Sequence, residues 1–142
     1  IQGELKNCYL LSALSSLSKH PNLITRIIGN SEKNDFGLFS VWLNINGIWD
    51  EIVIDDYIPV EEDSQIVNEK GEPTYRPVFS KFGKFGEDAL WVILIEKAYA
   101  KAYGGYQRID IGDPTSALRD LTGAPSTRVD FAYVHYLYKE ID

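Results

Sequence analysis

The sequence has no methionine, one cysteine and two histidines, and its 14 basic residues are outnumbered by 21 acidic ones. Each shortage excludes something. A single cysteine cannot close an internal disulfide framework or build a multi-cysteine zinc site. A formal net charge of −7 argues against nucleic acid as a partner, because binding the phosphate backbone needs clustered positive charge. No apolar run approaches the roughly 20 residues that cross a bilayer, and no signal-peptide pattern opens the chain, so no membrane span is expected. No Asn-x-Ser/Thr sequon occurs. With the lone thiol, this fits a reducing, intracellular and cytoplasmic setting. The chain opens Ile1-Gln2-Gly3 instead of with Met, as expected of a processed product, an excised domain or part of a larger chain.

What is present suffices for one core. The 142 residues are 44% hydrophobic and 13% aromatic, which is one domain's worth of foldable chain and not a disordered one. Leu10, Leu11, Leu14 and Leu17 follow helical spacing after a plausible N-cap, Asn7. Pro21 opens a second short helix that Gly29 is expected to stop. Phe39, Val41, Leu43 and Ile45 then alternate with polar or aromatic residues up to Asn46-Gly47, the preferred two-residue hairpin turn, and Ile48 to Ile54 return as the partner strand. Residues 60–86 are polar and turn-rich, and loops of that length usually carry function or disorder. A helix is expected over 87–103, with Leu90 through Ile95 apolar on every face and so buried all round. Gly104-Gly105 ends it, and a short helix over 116–121 precedes Thr122-Gly123. The aromatic tail, 126–142, carries no clear pattern.

Cys8 is the first candidate for chemistry. It follows the proposed N-cap and so occupies a first helical turn, where unpaired N–H groups and the helix dipole favour an anion. The thiolate is the nucleophilic form of cysteine. The plain alternative is a small buried hydrophobe, which is what a lone cysteine usually is. Gln2 lies six residues before it, and Gln-x5-Cys at the mouth of a helix is the papain-like arrangement in which the amide and the cysteine N–H hold an oxyanion.

The wider context is more specific. Gln2-Gly3-Glu4-Leu5-Lys6-Asn7-Cys8-Tyr9-Leu10-Leu11 resembles the nucleophile segment of calpains, Gln-Gly-x-Leu-Gly-Asp-Cys-Trp-x-Leu. Gly47-Ile48-Trp49 with Val53-Ile54-Asp55-Asp56-Tyr57-Ile58-Pro59 is similar to that family's Gly-x-Trp…Val-Val-Asp-Asp-x-Leu-Pro block. Leu90-Trp91 with Ile95-Glu96-Lys97-Ala98-Tyr99-Ala100-Lys101 is similar to its Leu-Trp-x-x-Leu-Leu-Glu-Lys-Ala-Tyr-Ala-Lys helix, and Asp120-Leu121-Thr122-Gly123 to its Asp-Leu-Thr-Gly-Gly. The four blocks are collinear and cover roughly residues 2 to 123.

The resemblance implies an α+β fold, the left lobe of a papain-like protease: a buried central helix carrying Cys8, further helices packed on it, and a small antiparallel hairpin or sheet. It implies that residues 1–142 form the N-terminal lobe of a calpain-type catalytic domain, with a polar insertion at about 60–86. Cys8 would be the nucleophile and Gln2 the oxyanion donor. A second lobe would supply His and Asn, with a protein substrate in the cleft between, so the isolated chain is expected to show no turnover. His20 and His135 match neither the position nor the context of the missing base; on a continuous helix His20 would lie about 18 Å from Cys8. Calcium is the family's usual activator. The acid expected just before Leu-Trp is Ala89 here, preceded by Glu87 and Asp88, so the resemblance implies an incomplete Ca2+ site. Lys6, Asn7, Tyr9 and Ala124 also depart from the pattern. These departures support an alternative, a catalytically inactive calpain-like module with a structural or protein-interaction role. The catalytic reading expects Cys8 at a helix N-terminus with its sulfur facing a groove.

Overall fold

The structure, a computed structural model, describes residues 5–30, 35–61, 65–67, 70–75 and 90–129. Helix α1 spans Cys8–Leu17 and buries Tyr9, Leu10, Ala13, Leu14 and Leu17. These positions recur at the helical period and make one apolar stripe, while Ser12, Ser15 and Ser16 stay exposed. Helix α2, Pro21–Ile27, begins with proline at its first turn, where the missing N–H is harmless. It runs straight into strand β1, Ile28–Asn30. Gly29 is therefore not the stop expected of it. It lies within a strand, where an added Cβ would come 2.5 Å from Ser40 Oγ.

Strands β2, Leu38–Ile45, and β3, Ile48–Asp55, form the expected hairpin. Its turn holds Asn46 at φ 53° and Gly47 at φ 84°, the left-handed pair that matches strand twist. The register sets Val41 opposite Ile52 and Phe39 opposite Ile54 on the core face. β1 adds antiparallel to β2, giving the order β1-β2-β3. Within the polar stretch 60–86, β4, Ile66–Val67, pairs with β5, Pro73–Thr74.

Helix α3 spans Leu90–Ala102; the expected first residues, 87–89, lie outside the described residues. Its burial differs from expectation. Leu90 is 42% exposed and Trp91 and Val92 are half-buried, whereas Ile93 through Glu96 are buried without interruption. The all-round burial thus falls one turn later than the apolar run alone suggests, where α3 packs on both β2 and β3. Gly104 and Gly105 close the helix, the Gly105 N–H donating to Ala100 O at 2.7 Å. After a 3-10 turn, Tyr106–Arg108, helix α4 spans Pro114–Thr122. It starts earlier than expected because Asp113 caps it, accepting from Ser116 N–H at 3.1 Å.

The architecture is α+β, consistent with a papain-like lobe. One cluster joins α1, α3 and α4 to the inner face of the sheet. α1 packs on α4 and α2, and α4 packs on β2. No helix among the described residues is long and apolar enough to cross a membrane.

Two glycines with left-handed backbones separate strain from packing. Gly47, at φ +84°, faces open space, whereas at Gly123, φ +69°, an added Cβ would stand 2.8 Å from Trp49 Cζ2. Replacing either with alanine imposes a left-handed residue, about 1–2 kcal/mol. Gly123→Ala should cost at least about 1 kcal/mol more, from overpacking against the indole. Denaturant unfolding of both variants checks this, and equal losses would contradict the contact.

Candidate active site

Cys8 is the first residue of α1, exposed and unpaired with any sulfur. Its neighbours on both sides are buried: Asn7 is 0% exposed and Tyr9 7%. The thiol therefore rests on a fixed base while remaining reachable from solvent. It is not the buried hydrophobe of the plain reading. The Asn7 carbonyl accepts from the N–H of Leu10 at 3.0 Å and of Leu11 at 3.2 Å, which starts the helix. Its side chain makes no cap bond; instead Nδ2 donates to Glu96 Oε1 in α3, at 2.7 Å. On the other side, the Tyr9 ring occupies the space a side chain at position 112 would need: a Cβ on Gly112 would fall 2.3 Å from Tyr9 Cζ. Gln2 lies outside the described residues, as do Glu87, Asp88, Ala89 and His135. His20 is exposed and sits before α2, with the whole of α1 between it and Cys8. Lys6 is exposed.

The residues that hold this frame lie mostly on α3. Lys97 donates from Nζ to Asp55 O at 2.9 Å, to Asp55 Oδ1 and to Tyr57 O. This bond, with the Tyr57 N–H, holds the exposed Asp55 carboxyl below its ordinary value. Lys101 Nζ donates to Val53 O at 2.6 Å. Tyr99 donates to Asp120 Oδ2 at 2.9 Å and Tyr103 donates to the same oxygen. Asp120, fully buried, also has Arg119 Nε 3.6 Å from Oδ1. Sequence reasoning named none of these as site residues. One signal was available for Glu96: a carboxylate inside an otherwise apolar helical run has to find a partner when buried.

Among the described residues no group of three or more His, Cys, Asp or Glu is placed to hold a metal ion. A surface cleft of about 230 Å³ is lined by Arg26, Trp42 and Trp49, without Cys8 in its wall.

Burial raises the phenols around this frame. Tyr9 is pushed up to about 12 by desolvation, then by Tyr103, Asp120 and Asp110. Tyr106 is likewise pushed up to about 12, by burial and then by Asp55 and Glu96. Tyr99 and Tyr103 are raised by burial and by their bonds to Asp120. A phenol raised on folding stabilises the fold fully below its unfolded value and loses that contribution as pH rises through its folded value. Stability should therefore fall with rising pH from 10.0, the ordinary phenol value, to about 12 and beyond. Unfolding measured across that range should show the decline, with a shallower slope in Tyr9→Phe; a flat profile would contradict it.

The profile of the calpain family cysteine proteases matches residues 1–141. The chain is 36% identical over 129 residues to the calpain-type cysteine protease DEK1 of Arabidopsis thaliana, covering 91% of this chain and 5% of that protein. It is 32% identical over 137 residues to human calpain-14, covering 94% of this chain and 18% of that one. It is 30% identical over 125 residues to the human calpain-1 catalytic subunit, covering 86% and 16%. The chain thus spans less than a fifth of the length of each of these relatives. With the family profile running from one end to the other and a cysteine exposed at the mouth of its first helix, the chain belongs to the calpain family of cysteine proteases.

Proposed function

We propose that residues 1–142 are the nucleophile-bearing lobe of a calpain-type cysteine endopeptidase, including a polar insertion at about 60–86. Cys8 Sγ, deprotonated by a histidine from a second lobe, attacks the scissile carbonyl of a protein substrate. The new C–S bond moves the carbonyl electrons onto oxygen, and the Gln2 amide with the Cys8 N–H receives that charge. Collapse expels the amine, which takes the proton back from the histidine. Water then hydrolyses the thioester. The asparagine of the second lobe orients the histidine. The observation that carries this reading is an exposed Cys8 at the start of α1, between two buried neighbours.

The alternative, an inactive interaction module, draws on the departures at Lys6, Asn7 and Tyr9, on Ala89 before Leu90-Trp91, and on the absent second half. Of these, Asn7 and Tyr9 are built into the frame, Asn7 through Glu96 and Tyr9 against Gly112. Calcium control belongs to the proposal only at the level of the whole protein, and no step above runs through the ion. The setting proposed is intracellular and cytoplasmic.

In the full-length protein, Cys8→Ala should abolish peptide-bond hydrolysis. Gln2→Ala should lower kcat by about 100- to 1,000-fold, the usual effect of deleting one oxyanion donor. The isolated 142-residue chain should be inert. Turnover that survives Cys8→Ala would overturn the assignment.

A further inference from the structure

The β2–β3 hairpin has two faces. Val41, Leu43, Ile52 and Ile54 are buried in the core, and the alternate positions lie on the opposite face. There the register sets Trp42 across from Glu51 and Trp49 across from Asn44, so the two indoles are diagonal neighbours. Trp42 is 37% exposed and Trp49 44%, although tryptophan is ordinarily well buried. Arg26, exposed on α2, joins them in the wall of the cleft of about 230 Å³.

The polar groups of this cleft are unspent. The Arg26 guanidinium has no ion pair or hydrogen bond among the described residues, in a chain whose net charge is −7. The Trp42 indole N–H has no acceptor among them either. It lies beside Gly29, where an added Cβ would stand 3.0 Å from Nε1. Ser40 Oγ, buried and without a hydrogen-bond partner, borders the same point at 2.5 Å. A side chain at position 29 would crowd both atoms, and the exposed glycine keeps that space clear. The cleft is smaller than the roughly 300–1,000 Å³ that hold drug-sized ligands, so it suits one or two side chains of a peptide and not a cofactor. Flat aromatic rings with an N–H donor suit a polyproline II segment, whose carbonyls are unpaired and whose ordering cost is low. Alternate residues of such a segment rise about 6 Å, close to the roughly 7–8 Å between diagonal neighbours of a hairpin. The unpaired cation selects a carboxylate beside the prolines, and Glu51, across from Trp42, disfavours a second one on the β3 side.

We propose that the cleft of Arg26, Trp42 and Trp49 docks an acidic, proline-containing segment of a protein partner, with prolines on the indoles and a carboxylate on Arg26. Cys8 takes no part in its wall, so the inference stands apart from the protease reading.

The test is fluorescence anisotropy with a fluorescein-labelled Pro-Glu-Pro-Glu-Pro-Glu-Pro peptide. It is titrated with the full-length protein carrying Cys8→Ala, so that cleavage does not interfere. Saturable binding is expected, at least about tenfold weaker in Trp42→Ala and about fivefold weaker in Arg26→Gln. Arg26→Glu should reverse the preference, holding the matching Pro-Lys peptide more tightly than the Pro-Glu one. Arg26 is exposed, so its variants decide if Trp42→Ala fails to fold. No saturable binding below about 1 mM, or affinities unchanged by the Arg26 substitutions, would overturn the proposal. So would a Pro-Gln or an Ala-Glu peptide bound as tightly as the Pro-Glu one. Displacement by glucuronate as effective as by unlabelled peptide would make the cleft a site for acidic sugars and overturn it too.

Discussion

A buried hydrogen bond between Asn7 and Glu96 joins the helix that bears the thiol to the helix at the centre of the core. Both groups are buried, so the bond replaces hydration that each gives up on folding. Everything proposed for Cys8 presupposes that α1 begins where it does, and this contact ties that point to α3. Tyr9 provides the second restraint, its ring seated where residue 112 has no side chain. Between them the cysteine is held by its neighbours and left open itself.

The string from Glu96 to Lys101, the most specific part of the family resemblance, becomes intelligible residue by residue. Glu96 binds Asn7, and Lys97 gathers the backbone oxygens of Asp55 and Tyr57. Tyr99 reaches Asp120 and Lys101 reaches Val53. Ala98 and Ala100, at 0% and 1% exposure, are buried between these anchoring residues. Helix α3 carries no candidate nucleophile, yet it organises the hairpin, α4 and the start of α1. Burial runs through its middle, Ile93 to Glu96 and Ala98 to Ala100, while its polar side chains tie it to the neighbouring elements.

Much of this was legible in the sequence, and the gaps have physical reasons. The β2–β3 hairpin could be read from strict alternation around Asn46-Gly47, because both the period and the turn chemistry are local. Strand β1 could not: three residues are too few to show alternation, and Gly29 looks like a helix stop. The early start of α4 has a local signal in Asp113-Pro114, a cap followed by a first-turn proline. The α1 stripe and the position of Cys8 at its mouth followed from spacing. The Asn7–Glu96 contact spans 89 positions, and no local pattern encodes such a pair. The placement of Gln2 lies outside the described residues.

The most direct measurement of the central claim is covalent capture. An epoxide-type thiol-protease probe, applied to the full-length protein, should alkylate Cys8, and prior incubation with a peptide aldehyde should block that labelling. Failure to label Cys8 in folded protein, or labelling of another cysteine with Cys8 left free, would contradict the account.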